Sequence, residues 1–176
     1  MQKANRNKGV SLVELVVVIA ILGIISGGLI ASVGIGKWAN ARGCAERMDS
    51  KLEQAKTMAM SKKDAGYLVL YRKEDGCYTS FTTSLSSYEP QVEKEERIGG
   101  KEVEITLHLE KEMERKLASE FVYFSFDRAS GALKPCLVRE GVTESELGLP
   151  ESITFAAKGR TNQIKLVAHT GKHYIE

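Results

Sequence analysis

The sequence has little of several residues that mark specialised classes of protein. Only three cysteines and three prolines occur in 176 residues, which argues against a disulfide-dense scaffold and a collagen-like repeat. The net charge is only +2, from 25 basic and 23 acidic side chains, whereas nucleic-acid-binding domains usually show a clear excess of Lys and Arg on one face. Because 43% of the residues are hydrophobic and 27% are charged, the averages also argue against a disordered chain or a multi-span transporter and favour one small globular domain.

Sequence motifs of catalysis and metal binding are missing as well. The chain contains neither a Gly-x-Ser-x-Gly nucleophile motif nor a His-Glu-x-x-His zinc motif. The three histidines, His108, His169 and His173, are scattered, so no metal site is predicted. The stretch from Asp127 to Gly131 resembles a cation-binding loop only loosely, and a plain turn is favoured. We therefore expect no enzymatic activity, no cofactor and no metal.

One long hydrophobic run stands out from this ordinary composition. From Leu15 to Gly36 there are 22 residues without a charged side chain, and 13 of them are Leu, Ile or Val. As a helix the run is roughly 33 Å long, enough to cross a hydrocarbon core of about 30 Å. Lys3, Arg6 and Lys8 give the first nine residues a charge of +3. The positive-inside rule therefore keeps the N-terminus in the cytoplasm and places the rest of the chain outside.

The N-terminal segment differs from a secretory signal peptide, which has an apolar run of roughly 7 to 15 residues followed by a cleavage site. Here Gly9 separates the basic leader from the apolar run, and a single carboxylate, Glu14, occupies the fifth position after it. An ionisable side chain at a membrane helix end is costly unless it is paired. The alternative for Glu14 is a carboxylate at the headgroup level that meets the positive end of the helix dipole.

The stretch from Lys8 to Leu15 resembles the class III signal of type IV pilins and type II secretion pseudopilins. The resemblance implies that a membrane prepilin peptidase cuts after Gly9 and methylates the new amine of Val10, removing nine of the 176 residues. With an ordinary pKa of about 7.7 to 8.0, such an amine is mostly protonated at pH 7. In the family, the amine of an incoming subunit pairs with the assembly carboxylate of its neighbour, which is Glu14 in this chain.

Beyond the membrane run the helical pattern continues. Apolar side chains recur at steps of three and four: Trp38, Ala41, Ala45, Met48, Leu52, Ala55 and Ala59. This spacing predicts a helix from about Ser11 to Lys63. After Gly66, short β-rich runs alternate with turn signals, although Glu110 to Ser119 could be a short helix. The predicted fold class is α+β, with a long N-terminal α-helix packed on an antiparallel β-sheet head.

The expected organisation has four parts. Residues 1–9 form a basic leader, residues 10–36 a transmembrane and assembly helix, residues 37–64 an amphipathic stalk helix and residues 65–176 a β-rich globular head. We expect a single-pass protein of the cytoplasmic membrane, with its head outside, that is later found in a surface pilus or pseudopilus.

The three cysteines leave at least one thiol unpaired in a monomer. Because Cys44 falls on the predicted stalk helix, Cys77 and Cys136 in the predicted head are the pair that could form a disulfide. Closing a loop of 59 residues would stabilise the fold by roughly 4 kcal/mol in the chain-entropy model. Buried free thiols are the alternative.

Together these features predict a prepilin-like structural subunit that polymerises through its N-terminal helix. The resemblance implies four kinds of partner: the prepilin peptidase, other pilin or pseudopilin subunits, the cytoplasmic membrane and, indirectly, the membrane platform and assembly ATPase. The segments Ser152 to Phe155 and Asn162 to Ile175 are similar to the end of H-type minor pseudopilins and their minor-pilin relatives (GspH/FimT-like), where a β-hairpin ends in a Thr-Gly-basic motif. This second resemblance implies a minor subunit.

Two alternative functions stay open at this point. The first is a minor pilin of a DNA-uptake system, whose tail contacts phosphates. That tail has a charge of +3, from Lys158, Arg160, Lys165 and Lys172 against Glu176, although ordinary strand-surface lysines account for it as well. The second is a monomeric, signal-anchored surface protein whose head binds a ligand.

Overall fold

The computed structural model describes residues 12–21, 40–61, 66–83, 85, 95–141 and 143–176. The chain divides into two compact units, Met1–Gly36 and Lys37–Glu176. In the first unit, residues 12–21 form helix α1. The predicted continuation of this helix through residues 22–39 lies outside the described residues. Within the described ranges no helix has the length and apolar character needed to span a membrane.

Helix α2 covers Ala41–Ser61 in the second unit. It begins after Asn40, whose side-chain Oδ1 accepts a hydrogen bond from the Arg42 backbone N–H at 3.1 Å, as an N-cap residue does. The buried residues of α2 recur at steps of three and four: Ala41, Cys44, Ala45, Met48, Leu52, Ala55 and Ala59. The apolar face that the spacing predicts is thus confirmed from Ala41 onward, while Trp38 lies outside the described residues.

The described part of the second unit contains eleven strands in two sheets. They are β1 (Tyr67–Lys73), β2 (Gly76–Thr82), β3 (Glu96–Gly100), β4 (Glu104–Leu109), β5 (Met113–Lys116), β6 (Phe121–Phe124), β7 (Cys136–Glu140), β8 (Thr143–Gly148), β9 (Pro150–Ala157), β10 (Arg160–Val167) and β11 (Lys172–Ile175). The strand order is β3-β2-β1-β6-β7-β8 in the first sheet and β11-β10-β9-β4-β5 in the second. All strand pairs are antiparallel. The predicted antiparallel head of an α+β fold is therefore confirmed.

The core of this unit lies where α2 meets both sheets. The helix contacts β1, β2 and β3 of the first sheet and β9, β10 and β11 of the second. Met48 and Leu52 of α2 are fully buried, as are Phe124 of the first sheet and Phe155 and Ile164 of the second. The four small alanines of the helix face let the two sheets approach its backbone closely, so one helix serves as the core element of both sheets.

Alternation along β1 gives the first sheet two apolar faces. Leu68 and Leu70 point into the main core, whereas Val69 and Tyr71 belong to a second cluster with Tyr123. A strand places successive side chains on opposite faces. The first sheet is therefore packed on its helix side and has a separate aromatic cluster on its other side.

The sheet edges carry charged side chains. Strand β5, an edge of the second sheet, reads Met-Glu-Arg-Lys, and β8, an edge of the first sheet, contains Glu144 and Glu146 with most of its residues exposed. Where Glu110 to Ser119 could have been a helix, the chain instead makes a single 3-10 turn at Glu110–Glu112 and then β5. Lys111 has φ 67° and Glu112 has φ 59°, a left-handed pair that prevents a continuous right-handed helix.

Candidate functional site

Glu14 lies in helix α1, where all described residues are exposed. Eight large apolar side chains of α1 are between 50% and 80% exposed: Leu12, Val13, Leu15, Val16, Val17, Val18, Ile19 and Ile21. They surround the helix on every side, so α1 has no polar face apart from Glu14. Gly9 and Val10, the expected processing residues, lie outside the described residues.

A helix that is apolar all around is stable in lipid or among other helices, and not in water. Burying the exposed half of eight Leu, Ile and Val side chains contributes on the order of 10 kcal/mol. Glu14 is the one charged side chain from Val10 to Gly36. In an apolar environment its carboxylate needs a cationic partner or a hydrogen-bond donor. Helix α1 therefore combines an apolar surface with a single carboxylate.

The cysteines are placed differently from the expected pair. Cys77 lies on β2 and Cys136 on β7, and β1 and β6 separate these strands in the first sheet. Three strand spacings amount to about 14 Å, whereas the two α-carbons of a disulfide lie less than about 7 Å apart. Cys44, Cys77 and Cys136 are free and buried in the structure. The fold therefore does not bring Cys77 and Cys136 together, and burial raises the pKa of all three thiols.

A polar cluster lies where β11 crosses α2. His173 Nε2 is 3.7 Å from Asp49 Oδ1 and 3.6 Å from Glu53 Oε2. The Nδ1 of His173 is 3.3 Å from the Gly171 carbonyl oxygen, which can only accept, so Nδ1 is the donor in this contact. Burial raises the pKa of Asp49, and the His173 ring opposes that shift. Among the described residues, no group of three or more His, Cys, Asp and Glu side chains has an arrangement that could hold a metal ion.

The turn that precedes β11 is held by a lysine of α2. Lys56 Nζ donates to the carbonyl oxygens of Thr170 at 3.1 Å and of Gly171 at 3.2 Å. Gly171 has φ 58°, and a β-carbon there would lie 1.9 Å from the Gly131 carbonyl oxygen. The Thr-Gly-basic motif thus docks the end of the chain on α2. Lys56 lies outside the apolar spacing of the helix in the sequence, and no local signal marks it as a contact residue.

The loop after β6 is a structural turn, as predicted. Asp127 Oδ1 accepts hydrogen bonds from the Ala129 N–H at 3.1 Å and from the Ser130 N–H at 2.9 Å. The Ser130 hydroxyl donates to the same oxygen at 2.8 Å, and the hydrogen bonds from Ser130 are the main reason why the pKa of Asp127 is lowered. The carboxylate closes its own turn.

Carboxylate partners offset part of the basic charge at the end of the chain. Lys158 Nζ is 3.6 Å from Glu102 Oε2, and Lys165 Nζ is 3.0 Å from Glu176 Oε2. The hydrogen bond with Glu176 raises the pKa of Lys165. Two of the four basic side chains that suggested a phosphate contact are therefore already next to carboxylates.

Comparison with known proteins found a match between the N-terminal part of the chain and one family model. Residues 4–30 match the family model of the prokaryotic N-terminal methylation motif. The match includes Gly9, Val10 and Glu14 and overlaps helix α1. No curated protein and no solved structure matches the chain. The chain carries a prokaryotic N-terminal methylation motif, the class III prepilin signal, consistent with a type IV pilin-like protein.

Proposed function

We propose that this protein is a minor prepilin-like subunit that is cut after Gly9, methylated at Val10 and assembled through its N-terminal helix into a type IV pilus or secretion pseudopilus. The methylation motif at residues 4–30 carries the proposal. It supports a pilin or pseudopilin subunit, which is a structural component rather than an enzyme. Its processing partner is a prepilin peptidase, and its assembly partners are other pilin subunits.

The physical properties of α1 support assembly through this helix. Its apolar side chains are exposed all around, so the helix gains free energy by moving from water into lipid and can exchange lipid for neighbouring helices at little cost. The basic leader keeps the N-terminus in the cytoplasm before cleavage. The head then lies on the far side of the membrane, where the filament grows.

Glu14 provides the register between subunits in this proposal. Cleavage creates a positively charged amine at Val10, and an ion pair in an apolar environment is strongly distance-dependent. Removing one member of a buried pair leaves an uncompensated charge that costs about 3 to 5 kcal/mol. Glu14 therefore selects one axial position of the incoming helix among the many that apolar packing alone allows.

The processing step is tested by mass spectrometry of membrane-extracted protein. The Gly9→Ala variant should remain full-length, because the residue before the cut is changed. Gly23→Ala is the matched control, since it makes the same substitution in the apolar run away from the cut and should leave a chain that starts at Val10. A Gly9→Ala chain that still starts at Val10 contradicts the assignment.

The assembly step is tested by the amount of subunit in sheared filaments. Glu14→Gln keeps the size of the side chain and removes its charge, so the variant should be processed and stable but poorly incorporated. Glu46→Gln, on the exposed side of α2, is the control and should be incorporated normally. Equal incorporation of the two variants would show that the carboxylate has no role in register.

The end of the chain supports a minor subunit. The β10–β11 hairpin with its Thr-Gly-basic turn, which docks on α2, lies in the segment that resembles the end of H-type minor pseudopilins. Quantitative mass spectrometry of purified filaments should find this subunit well below the level of another pilin. If it is the most abundant subunit, it is a major pilin.

A further inference from the structure

Two buried thiols on different elements lie near the same glycine of β3. Cys44 lies on α2 and Cys77 on β2, and both are fully buried. A β-carbon built on Gly99 would lie 2.9 Å from Cys44 Sγ, and Gly99 is the register partner of Cys77 on the neighbouring strand. Because register partners point to one face with β-carbons about 4.5 to 5.5 Å apart, Cys44 Sγ lies within roughly 8 Å of the Cys77 β-carbon.

Val103 marks this position independently. Its carbonyl oxygen is 3.6 Å from Cys77 Sγ, and its side chain is 3.4 Å from the position of a Gly99 β-carbon. Since Gly99 has no side chain, it leaves this space to Cys44 Sγ, and Val103 contacts both this space and Cys77 Sγ. The neighbouring Cys77 also adds to the effect of burial in raising the pKa of Cys44.

We propose that Cys44 and Cys77 form an intramolecular disulfide that ties α2 to the first sheet once the head has left the cytoplasm. The compartment rests on the proposed function, because disulfides persist outside the cytoplasm. Of the three cysteines, this pairing leaves Cys136 as the free thiol, and β1 and β6 separate its strand from that of Cys77.

The chemistry is thiol–disulfide exchange with an external disulfide. Arg72 Nη1 is 3.9 Å from Cys77 Sγ, and this guanidinium opposes the rise in the pKa of Cys77 that burial causes. We therefore assign Cys77 as the first nucleophile. Cys77 loses its proton and attacks one sulfur of the external disulfide, which releases one thiolate. Cys44 then loses its proton and attacks Cys77 Sγ, which releases the second. Two protein thiols are oxidised to one disulfide, and the external disulfide is reduced to two thiols.

Both sulfurs are inaccessible in the folded head, so the exchange takes place during folding or when α2 transiently separates from β2. The bond therefore forms slowly in a folded, reduced chain and quickly in a chain that folds in the presence of the oxidant. The difference between the two rates arises because the buried Cys44 and Cys77 thiols cannot react with the oxidant while the head is folded.

The test uses the full-length chain, purified in detergent with all thiols reduced, then unfolded and refolded with oxidised glutathione. After an acid quench, free thiols are alkylated with N-ethylmaleimide in denaturant and counted by intact-mass spectrometry. We expect one alkylated thiol, that of Cys136, and a linked peptide pair containing Cys44 and Cys77. Cys136→Ala is the matched control and should keep no free thiol, whereas Cys44→Ala should keep two.

A second measurement covers the case in which a cysteine variant fails to fold. The oxidised wild-type chain should have an equilibrium constant for unfolding that is lower by roughly several hundredfold than that of the reduced chain, as the chain-entropy model gives for a loop of about 33 residues. Three alkylated thiols, a linkage that includes Cys136, or covalent dimers on a non-reducing gel would each overturn the proposal. A chain that is not cut after Gly9 refutes the proposed function and leaves the thiol count unchanged.

Discussion

The close approach of Gly171 to Gly131 makes Gly171→Ala the sharpest test of how the end of the chain is docked. The new methyl group would lie 1.9 Å from the Gly131 carbonyl oxygen and 3.3 Å from Phe126 Cδ1. Gly171 also has φ 58°, and Gly131 has φ 69°. The methyl group would therefore meet backbone in the left-handed region. This backbone cannot move aside as the tip of a flexible side chain can.

The expected cost has two parts. A side chain in the left-handed region costs about 1 to 2 kcal/mol, and forcing an extra carbon into a packed site costs about 1 to 3 kcal/mol more. Gly159→Ala isolates the first part, because Gly159 has φ 74° and nothing lies within 4 Å of its β-carbon position. We expect Gly159→Ala to lower the free energy of unfolding by about 1 to 2 kcal/mol and Gly171→Ala by about 2 to 5 kcal/mol.

The assay is urea unfolding of the detergent-solubilised full-length chain, followed by the circular dichroism of the β-sheet. Proteolysis at low protease concentration gives a second readout if Gly171→Ala is largely unfolded without urea. If the two variants unfold at the same urea concentration, the contact between the turn at Gly171 and the loop at Gly131 does not exist in the folded protein, and the docking described for β11 is refuted.

Two further predictions concern the polar contacts of α2. Lys56→Met should lower the free energy of unfolding by about 1 to 3 kcal/mol, because two carbonyl oxygens lose a charged donor. Lys116→Met is the control: its exposed ammonium is 3.8 Å from a carboxylate, and the substitution should lower the free energy of unfolding by less than about 1 kcal/mol. If urea unfolding shows the same decrease for both variants, the Lys56 contact is contradicted. Asp49→Asn should flatten the pH dependence of stability. Burial raises the pKa of Asp49 from 3.8, so the folded state favours the protonated acid, and this contribution is present at low pH and is lost as the pH rises above about 4. The free energy of unfolding is measured from pH 4 to 7 for wild type and Asp49→Asn, both with His173 and Glu53 in place. An equal decrease in the two proteins would refute the assignment.

Local patterns in the sequence were enough to predict the helix face and the β-rich character of the head. The steps of three and four from Ala41 to Ala59 match the buried face of α2, because that face is set by the helix period alone. The stretch from Glu110 to Ser119 shows where the same reasoning is ambiguous. It is rich in Glu, Lys and Arg, which favour helices, but it pairs with β4 as an edge strand, with Glu114 opposite His108. Charged residues also suit a sheet edge, so composition alone cannot separate the two.

Contacts between distant parts of the chain depend on strand order, which the sequence does not reveal locally. Cys77 and Cys136 both fall in strands, but β2 pairs with β1 and β3, and not with β7. The approach of Cys44 to the same part of the sheet follows from how α2 crosses β2 and β3. Lys56 is likewise indistinguishable from other helix-surface lysines until the turn at Gly171 is placed beside it. The class III signal was predictable because its residues are contiguous.

The charged strand edges affect whether the heads of neighbouring subunits can pair through their sheets. A sheet with an apolar, unpaired edge recruits further strands and grows into aggregates. Here β5 and β8 present charged side chains at the sheet borders, and charged side chains on an edge strand disfavour its pairing with a further strand. Neighbouring heads are thereby discouraged from fusing into a shared sheet. In the filament proposed above, a subunit could therefore leave without any strand being pulled out of a continuous sheet.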